Sequence, residues 1–174
     1  MSFVPAHIFR EYDIRGIADS ELTDEHVFLI GRAFGTWLSR RGVTETTVGG
    51  DARLSTARIK AAAARGLNAA GVNVTDIGLV STPTFYWSLY RFEAGGGIMV
   101  TGSHNPKEFN GLKVAYDRAT LWGCLLYTSA RKRPQTFDDA FLHRFVKTGG
   151  DDAFFAHFKE EMGDARIVTE REYL

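Results

Sequence analysis

Between Leu22 and Tyr116 the chain alternates helical and extended patterns, and this alternation restricts the fold more than any other feature. In Leu22 to Gly42, Val27, Ile30, Phe34, Trp37 and Leu38 recur at three- and four-residue steps, which predicts a helix with one buried stripe. Thr23 stands at the N-cap, Asp24 and Glu25 oppose the positive end of the helix dipole, and Gly42 suits a left-handed stop. A β-type run at Thr46 to Gly49, a polar loop at Gly50 to Ser55 and an Ala-rich helix from Thr56 to Ala70 follow. Val72 to Ile77 reads as the next strand, and Thr82-Pro83 supplies a cap and a first-turn proline to a helix over Thr84 to Arg91. Gly97 to Thr101 and Gly111 to Tyr116 are two further apolar runs, the second carrying Lys113 near its start. Strands and helices alternating at these lengths predict a layered α/β domain with a largely parallel sheet. Ligands of such sheets gather on the loops beyond the carboxyl ends of the strands, so the loops after Gly49 and Val100 matter most.

Charge and cysteine content narrow the partners. Lys plus Arg and Asp plus Glu both count 21, so the chain has no global basic field for a nucleic acid or an anionic membrane, and any anion site is local. One cysteine, Cys124, excludes an intramolecular disulfide framework and a Cys-rich zinc site. Met1 to Arg10 contains no apolar stretch of signal-peptide length, and no window approaches the length of a membrane span. The expected location is the cytoplasm.

Three loops carry the candidate chemistry. In Thr101-Gly102-Ser103-His104-Asn105-Pro106, Gly102 admits a close neighbour or an unusual backbone angle, and Pro106 biases Asn105 toward an extended form. Ser103 is thereby offered on a stiff loop as a candidate nucleophile, with His104 for proton traffic and Lys113 as base or charge stabiliser. The competing reading is a simple turn, since Ser, Asn, Gly and Pro dominate turns. Phe9 to Gly16 crowds Tyr12, Arg10 and Arg15 together, and a planar guanidinium suits phosphate; the alternative is a solvated charged loop. Asp51 and Arg53 before Ser55 could present a guanidinium and helix N-terminal amides to an anion, or form an ion pair beside a serine N-cap. Convergence of the three on one sheet edge would make an anion pocket.

The ordered set FREYDIRG (Phe9 to Gly16), GDARLS (Gly50 to Ser55), Thr82-Pro83, TGSHNP (Thr101 to Pro106) and NGLK (Asn110 to Lys113) resembles the first domain of an α-D-phosphohexomutase. Within that family the opening and the serine loop resemble the phosphomannomutase/phosphoglucomutase branch. The resemblance implies a three-layer α/β/α sandwich with a mostly parallel, mixed sheet over residues 1–120. It also implies that Ser103 is carried as phosphoserine and passes its phosphoryl group to a hexose monophosphate. A hexose 1,6-bisphosphate intermediate would then turn over, so that hexose 1-phosphate and 6-phosphate interconvert. His104 and Lys113 would be the acid/base groups, Tyr12, Arg15 and Asn105 would line the pocket, and Arg53 would belong to it or serve only structurally. The expected partners are hexose phosphates, with no nucleic acid and no membrane. Mg2+ would be bound partly by an oxygen of the Ser103 phosphate, its other ligands coming from an aspartate-rich loop of a second domain that this chain lacks.

Near Leu121 the pattern of the family stops. Residues 121–174 contain Cys124 to Ser129, the basic run Arg131-Lys132-Arg133 and two amphipathic stretches, Phe137 to Lys147 and Asp151 to Met162. A helical tail and a mis-joined or frame-shifted reading are the two accounts this leaves. His143 and His157 read as helix-surface residues rather than metal ligands, and the basic run as a solvated linker. The whole is expected to be a fragment with little activity alone. The alternatives are a non-catalytic phosphosugar-binding or assembly domain, and a serine phosphohydrolase.

Overall fold

The computed structural model describes residues 4–10 and 12–121. After a 3-10 turn at Ala6–Ile8, the chain forms β1 (Ile14–Ile17), α1 (Asp24–Ser39), β2 (Glu45–Gly50), α2 (Thr56–Ala69) and β3 (Asn73–Leu79). It continues with α3 (Thr82–Arg91), β4 (Gly96–Val100), β5 (Phe109–Tyr116) and β6 (Ala119–Thr120). One sheet results, ordered β1-β5-β4-β2-β3, with β6 also paired to β5. β2 is parallel to β3 and β4, whereas β5 is antiparallel to β4, β1 and β6. The sheet is therefore mixed as expected, and its parallel part is confined to β3-β2-β4. The connections explain the division. β2 reaches β3, and β3 reaches β4, through helices long enough for a crossover, while the helix-free link 101–108 returns β5 alongside β4 in the opposite direction.

Helices cover both faces. Val27, Ile30, Phe34 and Leu38 of α1 and Ile59, Ala62, Ala63 and Leu67 of α2 share one core with Val48, Ile98, Val100, Leu112 and Val114 of the sheet. Phe85 and Leu89 of α3 pack with Met99 and Ala115 on the opposite face, as the two-residue alternation of a strand requires. The helical extension expected over 121–174 lies outside the described residues, apart from Leu121, whose amide bonds Val114 O at 2.8 Å. Cys124, the basic run and the two histidines beyond it lie outside them as well.

Local signals place the helix ends. Thr23 caps α1 by accepting the His26 amide at 3.2 Å, and Gly42 adopts φ +76 beyond its end. Two expected caps differ. Ser81, not Thr82, caps α3 by accepting the Thr84 amide, so Thr82 and Pro83 open the first turn. Ser55 holds the N-cap position of α2 without a capping bond, because its hydroxyl accepts instead from Asn110 Nδ2 at 2.9 Å. The segment read as a charged loop, Phe9 to Gly16, contributes β1, with Arg15 inside the strand.

α1 and α2 approach at glycines. A Cβ on Gly31 would lie 2.5 Å from Ala63 O, and one on Gly66 would overlap Phe28 O and lie 2.6 Å from Arg32 N. A methyl at Gly66 must push the two helices apart. Gly66→Ala is expected to destabilise the domain by about 1–3 kcal/mol, although alanine in a helix interior ordinarily gains about 1 kcal/mol over glycine. Urea unfolding of the two proteins gives the sign.

Candidate active site

The parallel pairing of β2 and β4 sets Gly50 opposite Val100, so the loops 51–55 and 101–108 leave the sheet side by side. Val100 is opposite Leu112, and Leu112 is opposite Ile14, so β1 begins at the same level and brings Tyr12 and Asp13 with it. Lys113 follows Leu112 on β5, beside Met99. The three candidate loops meet at one sheet edge.

Ser103 is exposed at the crest of its loop, with φ +52. For a residue with a Cβ that left-handed angle costs about 1–2 kcal/mol, so the surrounding bonds must hold it. The Ser103 amide donates to Thr101 Oγ1 at 3.1 Å, the Asn105 amide donates to Gly102 O at 3.0 Å, and the Gly102 amide donates to Asp51 Oδ2 at 3.0 Å. The Ser103 hydroxyl stands 3.3 Å from Nδ1 of His104, close enough for proton exchange between them.

Asp51 ties the β2 loop to the β4 loop. Its Oδ1 accepts from the Arg53 amide at 3.1 Å and from the Thr56 hydroxyl at 2.6 Å. Burial acts to raise the Asp51 carboxyl pKa; bonds from Thr56, the Arg53 and Gly102 amides and Thr101 outweigh it, leaving the group below its usual 3.8. Arg53 turns its guanidinium toward the backbone of the serine loop. It donates to Asn105 O at 2.5 Å, Pro106 O at 2.6 Å, Phe109 O at 2.9 Å and Ser103 O at 3.1 Å.

A charge cluster adjoins the loop. Arg15 and Asp13 are 8% and 7% exposed and form an ion pair; the other Arg15 Nη donates to Asn105 Oδ1 at 2.9 Å. Lys113 Nζ lies 3.8 Å from Asp13 Oδ2, so two cations share one carboxylate and the cluster keeps a net positive charge. Arg15 Nε is buried with no partner among the described residues. A partly buried, net positive cluster suits a phosphate, because charge there is less screened than in water. Tyr12 is next in sequence to Asp13 and is 58% exposed at this edge.

Ser103, His104, Asn105, Arg15, Lys113 and Arg53 are thus joined by direct contacts or through Asp13. The carboxylates that organise them, Asp13 and Asp51, stand out less from the sequence, where each stands two residues before an arginine. Asp51→Asn is expected to lower stability at neutral pH by about 1–3 kcal/mol, because the amides and hydroxyls it gathers lose a charged acceptor. Since the folded pKa is depressed, the Asp51 contribution is complete above its unfolded value and is lost as pH falls through the folded one. Wild type should therefore lose stability more steeply than Asp51→Asn on acidification below about pH 4, as followed by denaturant unfolding.

Residues 6–121 match the family model for phosphoglucomutase/phosphomannomutase, alpha/beta/alpha domain I. A phosphoglucomutase of Neisseria meningitidis serogroup B is 40% identical over 123 residues, which is 71% of this chain and 27% of that protein. A phosphomannomutase/phosphoglucomutase of Pseudomonas aeruginosa is 42% identical over 118 residues, covering 68% of this chain and 26% of its own length. The crystal structure of a phosphoglucomutase/phosphomannomutase family protein from Burkholderia thailandensis superposes with a TM-score of 0.69 at 34% identity, over 84% of this chain and 31% of that one. The chain therefore spans about a quarter of the length of the curated relatives it matches. By the match to its motifs, sheet and sequence, it belongs to the phosphoglucomutase/phosphomannomutase family and carries that family's domain I.

Proposed function

We propose that residues 1–120 form the phosphoserine domain of a phosphomannomutase/phosphoglucomutase, which interconverts hexose 1-phosphate and 6-phosphate through a hexose 1,6-bisphosphate. The observation that carries this reading is the exposed, left-handed Ser103 beside the positive Arg15–Asp13–Lys113 cluster. In the transfer, the bond from phosphorus to Ser103 Oγ breaks as the bond to a sugar hydroxyl oxygen forms. The proton leaving that hydroxyl passes through Lys113 or His104 to Ser103 Oγ. Charge spread over the moving phosphoryl group is offset by Arg15 and Lys113, which is where most of the catalysis of such a step arises. Asn105, fixed by Arg15, keeps the loop in register, and Tyr12 borders the pocket. Hexose phosphates as substrates and the single cysteine favour the cytoplasm; no helix of the described residues is long and apolar enough to cross a membrane.

Mg2+ is the ion the family resemblance implies. Among the described residues no group of three His, Cys, Asp or Glu could hold a metal ion. Asp13 is engaged by Arg15 and Lys113, and Asp51 by the loop amides. These residues do not make a magnesium site by themselves: a phosphate on Ser103 would bring one oxygen, and further ligands would have to come from elsewhere.

A second reading is a phosphosugar-binding or assembly domain, favoured by the lack of a metal-holding group among the described residues. Incubation with labelled glucose 1,6-bisphosphate discriminates. The mutase reading expects label on the protein that is returned to glucose 6-phosphate, with Ser103→Ala incorporating none and Lys113→Met slowed by about 10²–10⁴-fold. Calorimetric binding without label supports the binding domain, and label released only as inorganic phosphate supports a phosphohydrolase.

A further inference from the structure

The Arg53 guanidinium is the largest charged group at the serine loop that the transfer step leaves unused. It is donated from the loop between β2 and α2, yet its four Nη hydrogens match four carbonyls of the other loop, those of Ser103, Asn105, Pro106 and Phe109. Its Nε lies 3.6 Å from Asp51 Oδ2, the oxygen that also accepts the Gly102 amide. A guanidinium has five N–H donors in one rigid plane. The four Nη donors are all taken by backbone carbonyls here, so neither Nη is left for a substrate phosphate. The side chain is 18% exposed.

Two further features show how closely the loop is built around this group. A Cβ on Gly102 would overlap Nε and Cζ of Arg53 and lie 2.8 Å from its Cδ, so only glycine lets the loop close over the guanidinium. The four carbonyls converge on one point, where without a cation their partial negative charges would repel one another beneath a residue whose chemistry needs positive potential. The Ser103 carbonyl is among them, so the grip fixes the peptide plane that follows the left-handed residue. The Asn105 carbonyl is another, and the Asn105 side chain bonds Arg15. One side chain thereby sets Ser103 and Asn105 in place relative to the charge cluster.

We propose that Arg53 is the positioning residue for Ser103: clamped under Gly102 and held by Asp51, it maintains the strained turn that presents the hydroxyl, and it acts through the loop backbone rather than on phosphate. What the position serves rests on the phosphoserine reading; the clamp itself does not.

The test uses the full chain with Arg53→Lys, which keeps the charge but offers three tetrahedral donors instead of a planar fork. Gly102→Ala attacks the same contact from the opposite side with Arg53 intact. Arg58→Gln is the control, since Arg58 also grips carbonyls, those of Ala18 and Leu22, but bonds none of the serine loop's. In both Arg53→Lys and Gly102→Ala, the Gly102, Ser103 and Asn105 amides are expected to exchange with solvent about tenfold faster or more, with Ile98 and Val100 unchanged. The maximal rate of label uptake from glucose 1,6-bisphosphate should fall by about tenfold or more while the half-saturating concentration stays within about twofold. Arg58→Gln lowers the melting temperature without moving either readout. Unchanged loop exchange overturns the proposal, as does a raised half-saturating concentration at an unchanged maximal rate, which would place Arg53 on the phosphate. If wild type takes up no label, the phosphoserine reading fails, and the exchange rates still decide the clamp. Should Arg53→Lys not fold, Gly102→Ala alone supplies both readouts.

Discussion

The parallel pairing of β2 with β4 is the constraint on which the site depends. Because Gly50 and Val100 are register partners, the two loops that follow cannot diverge, and Asp51 and Arg53 reach residues about fifty positions later in the chain. The pairing in turn requires helices that cross over the sheet. α2 and α3 provide them on opposite faces, and the glycine contacts between α1 and α2 let one of those layers lie close. β5 then returns antiparallel and delivers Lys113 to the same edge, which a parallel strand in that slot would not do without another helix.

At that edge, strain and charge are matched. Ser103 sits in a backbone region that costs energy, and three sources hold it: the Thr101 hydroxyl, the Asp51 carboxylate and the Arg53 guanidinium. The two ionised holders, Asp51 and Arg53, compensate each other, so their charge does not reach far. The uncompensated positive charge belongs to the neighbouring Arg15–Asp13–Lys113 cluster, where two cations share one acid. On the proposed reading, anchoring and anion binding fall to different arginines that look alike in the sequence.

That division explains what was legible. Helix α1 is written in local chemistry, through the Thr23 cap, the acidic first turn, the stripe from Val27 to Leu38 and Gly42, and the structure follows it. The candidate residues of the serine loop, with Arg15 and Lys113, could be named because the order and spacing of their motifs match a family pattern, not because their residue types are unusual in a turn. What could not be read is tertiary. β1 was hidden by alternating charges, since Arg15 in a strand is affordable only once Asp13 and Asn105 partner it. Ser55 looks like a cap and instead serves Asn110, a partner 55 positions later. The fate of Arg53 depends on the directions of four backbone carbonyls, which no residue pattern encodes.

The central claim, that this sheet edge exists to carry a phosphoryl group on Ser103, is tested most directly by locating the phosphate. The protein is incubated with glucose 1,6-bisphosphate, digested, and its peptides sequenced by tandem mass spectrometry. The account predicts a phosphate on Ser103 and on no other serine or threonine of residues 4–121. A phosphate on Ser55, Ser81 or Ser88 instead, or an unmodified Ser103 at saturating bisphosphate, would contradict it.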